Sequence, residues 1–197
     1  MVIPRSWKNA DAVAAMRDFL RQQPPRHAAV RDLMKELLSE NPYSRRCAAD
    51  LVRRVSARQP GILQKYADLL IDLAAELSDA DWQPRGYIAQ AAAQNLSTHA
   101  QRTRLESLVR TLLEDPRIAV RAMALETFAT LAIAEPTLRD EAMLLLEHSR
   151  HGCCALGSRA RRMLPLLLAA EKTARPNPPP SQARDLGAPQ LHPKLRV

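Results

Sequence analysis

His148, His151, Cys153 and Cys154 fall within one seven-residue stretch, and each of these residue types can ligate a soft or borderline metal ion. Adjacent cysteines rarely chelate one ion well, and the chain offers no second ligand pair at zinc spacing. The stretch reads as a turn that happens to hold these residues, so we expect no metal and no cofactor. The remaining cysteine, Cys47, shares an apolar helix face with Ala48 and Leu51 and reads as a small core residue. A nucleophile would need a base and an orienting group. His27 and His99 instead head corresponding segments of a repeat. There is no Gly-rich phosphate loop, no His-Glu-x-x-His helix and no nucleotide fingerprint. The expectation is a chain that is not an enzyme.

Two further groups carry possible chemistry. Trp82 and Tyr87 lie near Asp79 and Asp81, and base-excising proteins need stacking aromatics and a carboxylate. Aromatics make up only 4% of the chain, which favours Trp82 sealing a junction between helices. The other group is the arginines. Formal net charge is +8, which invites a nucleic-acid reading until the charge is placed. Residues 172–197 carry a net +4, half of the excess. They also hold Pro176, Pro178, Pro179, Pro180, Pro189 and Pro193 and show no helical period, so we expect a Pro-rich, basic, disordered tail. Pro178-Pro179-Pro180 with flanking Lys and Arg reads either as a docking peptide for an aromatic groove or as a solvated extension.

The elements that position these side chains follow from an internal repeat. Val30, Leu33, Met34, Leu37 and Leu38 form one helical stripe, and Leu105, Leu108, Val109, Leu112 and Leu113 repeat it 75 residues on. Tyr66, Leu69, Leu70, Leu73 and Ala74 give a copy in between; Ala142, Leu145 and Leu146 give a weaker fourth. Asn41-Pro42 and Asp115-Pro116 follow two of the stripes as an N-cap residue and a first-turn proline. The second helices end before Pro60 and Pro136. An arginine near the start of each second helix completes the unit: Arg45, Arg85, Arg121 and Arg159. Repeats are expected at 27–60, 61–98, 99–136 and 137–171, with a capping helix over 9–23. The domains are then 1–171, helical repeats, and 172–197, the tail.

The stretch from Asp115-Pro116 through Val120-Arg121 to Ala124-Leu125 resembles the turn and second helix of a HEAT repeat, and the resemblance extends over about residues 27–170. The chain also resembles short bacterial HEAT-like proteins without an assigned activity. Asn41 to Val52 departs from the pattern, with Asn for Asp and a turn two residues shorter; in Trp82-Gln83-Pro84-Arg85 a proline directly precedes the arginine. The resemblance implies an all-α, right-handed α-solenoid of about four helix pairs, whose second helices line the concave surface. It also implies that Arg45, Arg85, Arg121 and Arg159 are structural and bond neighbouring turns. By segment, second helices sum to +7 and first helices to −5, so the implied concave face is basic. Arg46, Arg53, Arg54, Arg117, Arg161 and Arg162 are left for a partner, or are simply what exposed helix faces carry.

The functional expectation is a scaffold that holds an acidic protein surface or peptide, since the arginine fork pairs with carboxylates bidentately. The alternative is nucleic-acid binding in the manner of HEAT-like alkylpurine DNA glycosylases. An accessory subunit or HEAT-type lyase is a third reading that no residue here favours. No apolar run approaches the roughly 20 residues that span a bilayer, and no signal peptide is read at Met1 to Lys8. Three cysteines without a secretory signal suggest a reducing, cytoplasmic setting and no membrane partner.

Overall fold

A computed structural model describes residues 27–152 and 154–174. The expected capping helix over 9–23, Cys153 and residues 175–197 of the expected 172–197 tail lie outside the described residues, whereas residues 172–174 of that tail continue the last helix. The described chain is all-helical, with eight α-helices and no strand among the described residues. They are α1 His27–Leu37, α2 Pro42–Arg58, α3 Ala67–Glu76, α4 Trp82–Ala93, α5 His99–Leu113, α6 Ile118–Ala134, α7 Arg139–Ser149 and α8 Cys154–Ala174. Short 3₁₀ turns at Gln64–Tyr66, Asp79–Asp81 and Pro136–Leu138 lead into α3, α4 and α7.

Local chemistry sets several helix ends. The Asn41 side chain accepts from the Tyr43 and Ser44 amides at 2.9 and 3.4 Å, and Pro42 opens α2 without losing a bond. At α5 the Thr98 hydroxyl takes the Gln101 amide while the Gln101 side chain takes the Thr98 amide, a reciprocal cap. Asp115 behaves differently from Asn41. The longer turn delays α6 to Ile118, and Asp115 Oδ1 accepts from the Arg117 amide at 2.8 Å. Pro116 therefore precedes the helix instead of opening it.

Each odd-numbered helix folds back on its successor through a short turn. The even-numbered helices then pack on one another in chain order: α2 on α4, α4 on α6, α6 on α8. The odd row is held more loosely, with α3 on α5. One continuous core runs between the rows, and Phe128, Leu33, Leu51, Leu70, Ile88, Leu105 and Leu146 are fully buried in it. Gly86 lets α4 approach α6 closely: a Cβ there would sit 2.5 Å from Met123 Cε. The α2–α3 connection is pinned by buried Asn95, whose amide donates to Ser56 Oγ and the Ala91 carbonyl and accepts from the Leu63 amide at 2.8 Å. Gly61, at φ +83°, turns this connection in a conformation that side chains disfavour.

The α3 stripe is rotated from its expected position. Ala67, Leu70, Ile71 and Ala74 are buried, while Tyr66, Leu69 and Leu73 are half-buried. Asp68 and Asp72 fix the outward face by pairing with Arg104. Leu38 lies beyond the end of α1 and is 58% exposed.

Candidate functional site

The arginines near the second-helix starts fall into two pairs. Arg45 Nη1 donates to the Ser39 carbonyl at 2.8 Å, and Arg121 Nη1 to the Asp115 carbonyl at 2.7 Å, both six residues back. Arg85 Nε reaches the Ala74 carbonyl at 3.1 Å, eleven residues back. The residue matching Arg85 in the last pair is Arg161, whose Nη1 donates to the Arg150 carbonyl at 2.7 Å, again eleven back. These bonds satisfy carbonyls that helix ends leave free. Arg159 makes no such bond, so in α7–α8 the turn arginine comes two residues later than the repeat spacing puts it. Gly157 leaves room for this, since a Cβ there would lie 2.7 Å from the Gly152 carbonyl and 3.1 Å from Arg161 Nη1.

Arg159 instead enters a cluster along the even row. Glu126 on α6 accepts from Arg159 and from Arg162, both on α8. It also accepts from the Gln90 amide on α4 at 2.7 Å. Arg53 on α2 lies over the Tyr87 ring at 5.1 Å and is held by Asp50, which Arg54 also grips. Burial holds the Arg159 pKa below its ordinary value, and the neighbouring charges of Arg162 and Arg53 add to that. Arg53 and Arg159 belong to the first and last helices of the row.

The expected partner-binding arginines have different partners. Arg53 and Arg54 share Asp50, and Arg162 bonds Glu126. Arg117 pairs with Asp115 at 3.2 Å, and Arg161 serves the turn described above. Arg46 lines a separate cleft of about 410 Å³ with Pro42, Tyr43, Asp81, Trp82 and Gln83. Tyr87 does not line this cleft; its ring lies beneath Arg53. Asp81 pairs with Arg45 at 2.7 Å and Asp79 with Arg85 at 3.4 Å, so both carboxylates already hold counter-charges.

Gln90 and Glu126 carry no sequence motif, yet a signal for them existed. Arg54, Gln90, Glu126 and Arg162 are each 36 residues apart. The links Gln90–Glu126 and Glu126–Arg162 have that separation, as do Arg45–Asp81 and Asp68–Arg104. Elsewhere the chemistry is sparse. Cys47 is half-buried, and burial pushes its thiol pKa up, which makes it a weak nucleophile at neutral pH. The described residues contain no cluster of three or more His, Cys, Asp or Glu able to hold a metal ion. None of the described helices is long and apolar enough to cross a membrane. No family model, curated protein or solved structure matches the chain.

Proposed function

We propose that the chain is a non-enzymatic, cytoplasmic binding module, a HEAT-like α-solenoid of four helix pairs whose even-helix row takes an acidic partner protein. The recurring 36-residue links and the chain-order packing of the even helices support the solenoid reading. The observation that carries the function is the pairing of two arginines with each even-row carboxylate, Arg159 and Arg162 with Glu126 and Arg53 and Arg54 with Asp50. Together, four guanidinium groups face two carboxylates. The surplus positive charge lies on the even row, where the arginine forks suit an acidic side chain.

Charge reversal tests this directly. A fluorescent glutamate-rich peptide should bind the full chain, and the double variant Arg53→Glu, Arg162→Glu should weaken it at least about tenfold, as for lost charge-assisted contacts. Unchanged affinity in that variant would remove this face from the reading. Labelled duplex DNA supplies the opposing arm. DNA binding tighter than peptide binding, and falling steeply between about 50 and 200 mM salt, would replace the protein partner with nucleic acid.

A further inference from the structure

We infer that the cleft between the starts of α2 and α4 is a second docking site, for a proline-rich partner segment that carries one carboxylate. The inference stands apart from the paired arginines of the even row.

The walls are the first argument. Pro42 and Tyr43 open α2, and Trp82 and Pro84 belong to the first turn of α4. Pro42, Tyr43 and Arg46 are exposed on the α2 side and Ala80 on the other, so the cleft of about 410 Å³ lies open as a groove. Tyr43 is a large aromatic left 47% exposed on one wall, and half-buried Trp82 belongs to the other. Two aromatic and two proline rings make a rigid, mostly apolar surface.

That surface has little to offer a ligand held by backbone hydrogen bonds. Pro42 and Pro84 have no N–H. The Tyr43 and Ser44 amides already donate to the Asn41 side chain, and the Arg45 amide donates to the Asn41 carbonyl. The start of α2 therefore keeps no amide for an anion, and an added strand finds no ladder here. A polyproline II segment needs neither. It makes no internal hydrogen bonds, keeps its backbone solvated and docks on aromatic-lined grooves. Gln83 lines the same groove, and its amide can donate to one of the segment's carbonyls.

Charge is the second argument. Arg46 makes no hydrogen bond or ion pair among the described residues. Asp81 is the one carboxylate in the lining, and Arg45 holds it at 2.7 Å. These three groups sum to +1. A basic segment would meet an uncompensated guanidinium and a carboxylate already taken, whereas a glutamate or aspartate would meet its complement. The chain's own triple proline, Pro178-Pro179-Pro180, lies between Arg175 and Arg184 and has the wrong sign for this groove.

The test titrates dye-labelled peptides into the full chain and follows fluorescence anisotropy. The probe is a short proline-rich peptide with one central glutamate. Three controls replace its prolines by alanine, its glutamate by glutamine, or its glutamate by arginine. The probe should bind at least about tenfold tighter than the alanine control, whose backbone is not pre-set. The glutamine control should bind about two- to fivefold more weakly than the probe, as for one exposed ion pair, and the arginine control more weakly still. In Arg46→Gln the probe and the glutamine control should bind alike, which assigns the carboxylate to Arg46. Trp82 packs on the core, so the wall is tested at Tyr43. Tyr43→Ala should weaken the probe and the glutamine control by the same factor, and Tyr43→Phe, which keeps the ring, should restore both. The double variant Arg53→Glu, Arg162→Glu should bind the probe as the parent chain does. Loss of the probe in that double variant, with Tyr43→Ala unaffected, would overturn this site and leave the acidic-partner reading of the even row standing. Equal binding of the probe and the alanine control would overturn the polyproline assignment. Tightest binding by the arginine control would overturn the sign of the charge, and binding by none of the peptides would overturn the site itself.

Discussion

The two helix rows solve the same cross-linking problem with opposite stoichiometry. On the odd row, Arg104 of α5 bridges Asp68 and Asp72 of α3, and Arg110 of α5 bridges its own Glu106 and Glu141 of α7. There one arginine sits between two carboxylates. On the even row one carboxylate sits between two arginines: Glu126 between Arg159 and Arg162, and Asp50 between Arg53 and Arg54. The Arg104, Arg110 and Glu126 links join different helices while Asp50 pairs within α2, and the odd row keeps surplus negative charge and the even row surplus positive charge. Exposure differs as well. The Arg104 and Asp68 side chains are 45% and 63% exposed, while Glu126 is 20% exposed. Pairs in water contribute little, whereas a half-buried ion that loses its partner is costly. The Asp68–Arg104 pair can therefore be altered at low cost, and Glu126 cannot.

The strongest way to break the comparison is to remove the core that both rows share. Phe128 is fully buried on α6, with the Arg110 guanidinium over its ring at 5.2 Å. Phe128→Ala should cost about 3–5 kcal/mol through lost transfer energy and an unfilled cavity. Urea unfolding should show one cooperative transition moved to lower denaturant. If only part of the helical signal shifted, the rows would be independent units. The second way sharpens the contrast. Glu126→Gln leaves Arg159 and Arg162 without a counter-ion in a half-buried site and should cost about 1–3 kcal/mol. Asp68→Asn, made on the exposed odd row, should cost less than about 1 kcal/mol. Equal losses in the two variants would contradict the asymmetry drawn from burial.

Much of the helical organisation was legible in the sequence because each helix in this chain needs one apolar stripe and a stop. The stripes beginning at Val30 and Leu105 and the breaks at Pro60 and Pro136 supply both. The face of α3 was harder to read. Leu69, Leu70, Ile71, Leu73 and Ala74 are apolar nearly all round, so side-chain type alone does not choose an orientation. The choice falls to Asp68 and Asp72, whose partner Arg104 lies more than thirty residues away. The site was harder still. Arg159 holds the repeat position of a turn arginine, but which arginine reaches the Arg150 carbonyl depends on the glycine-permitted path at Gly157. Gln90 and Glu126 have no local signature. They become informative only once helices 36 residues apart are stacked, which makes the register itself the missing signal.

The smallest expected effect concerns acid. Bonding to Arg110 holds the Glu141 carboxyl below its ordinary pKa, and the Arg110 guanidinium is raised in turn. A carboxylate with a depressed folded-state pKa contributes stability above its unfolded pKa and loses it as pH falls through the folded value. The α5–α7 link should therefore hold at neutral pH and weaken below the usual carboxylate range. Both side chains are largely in water, so the effect on the thermal midpoint should be slight and should shrink with added salt. Arg110→Gln removes the partner, so its midpoint should fall less steeply with acid than that of the parent chain. The even row offers the control. Arg54→Gln, made beside Asp50, leaves Glu141 and Arg110 untouched and should keep the acid dependence of the α5–α7 link. If both variants changed the acid slope equally, the two rows would not be electrostatically distinct.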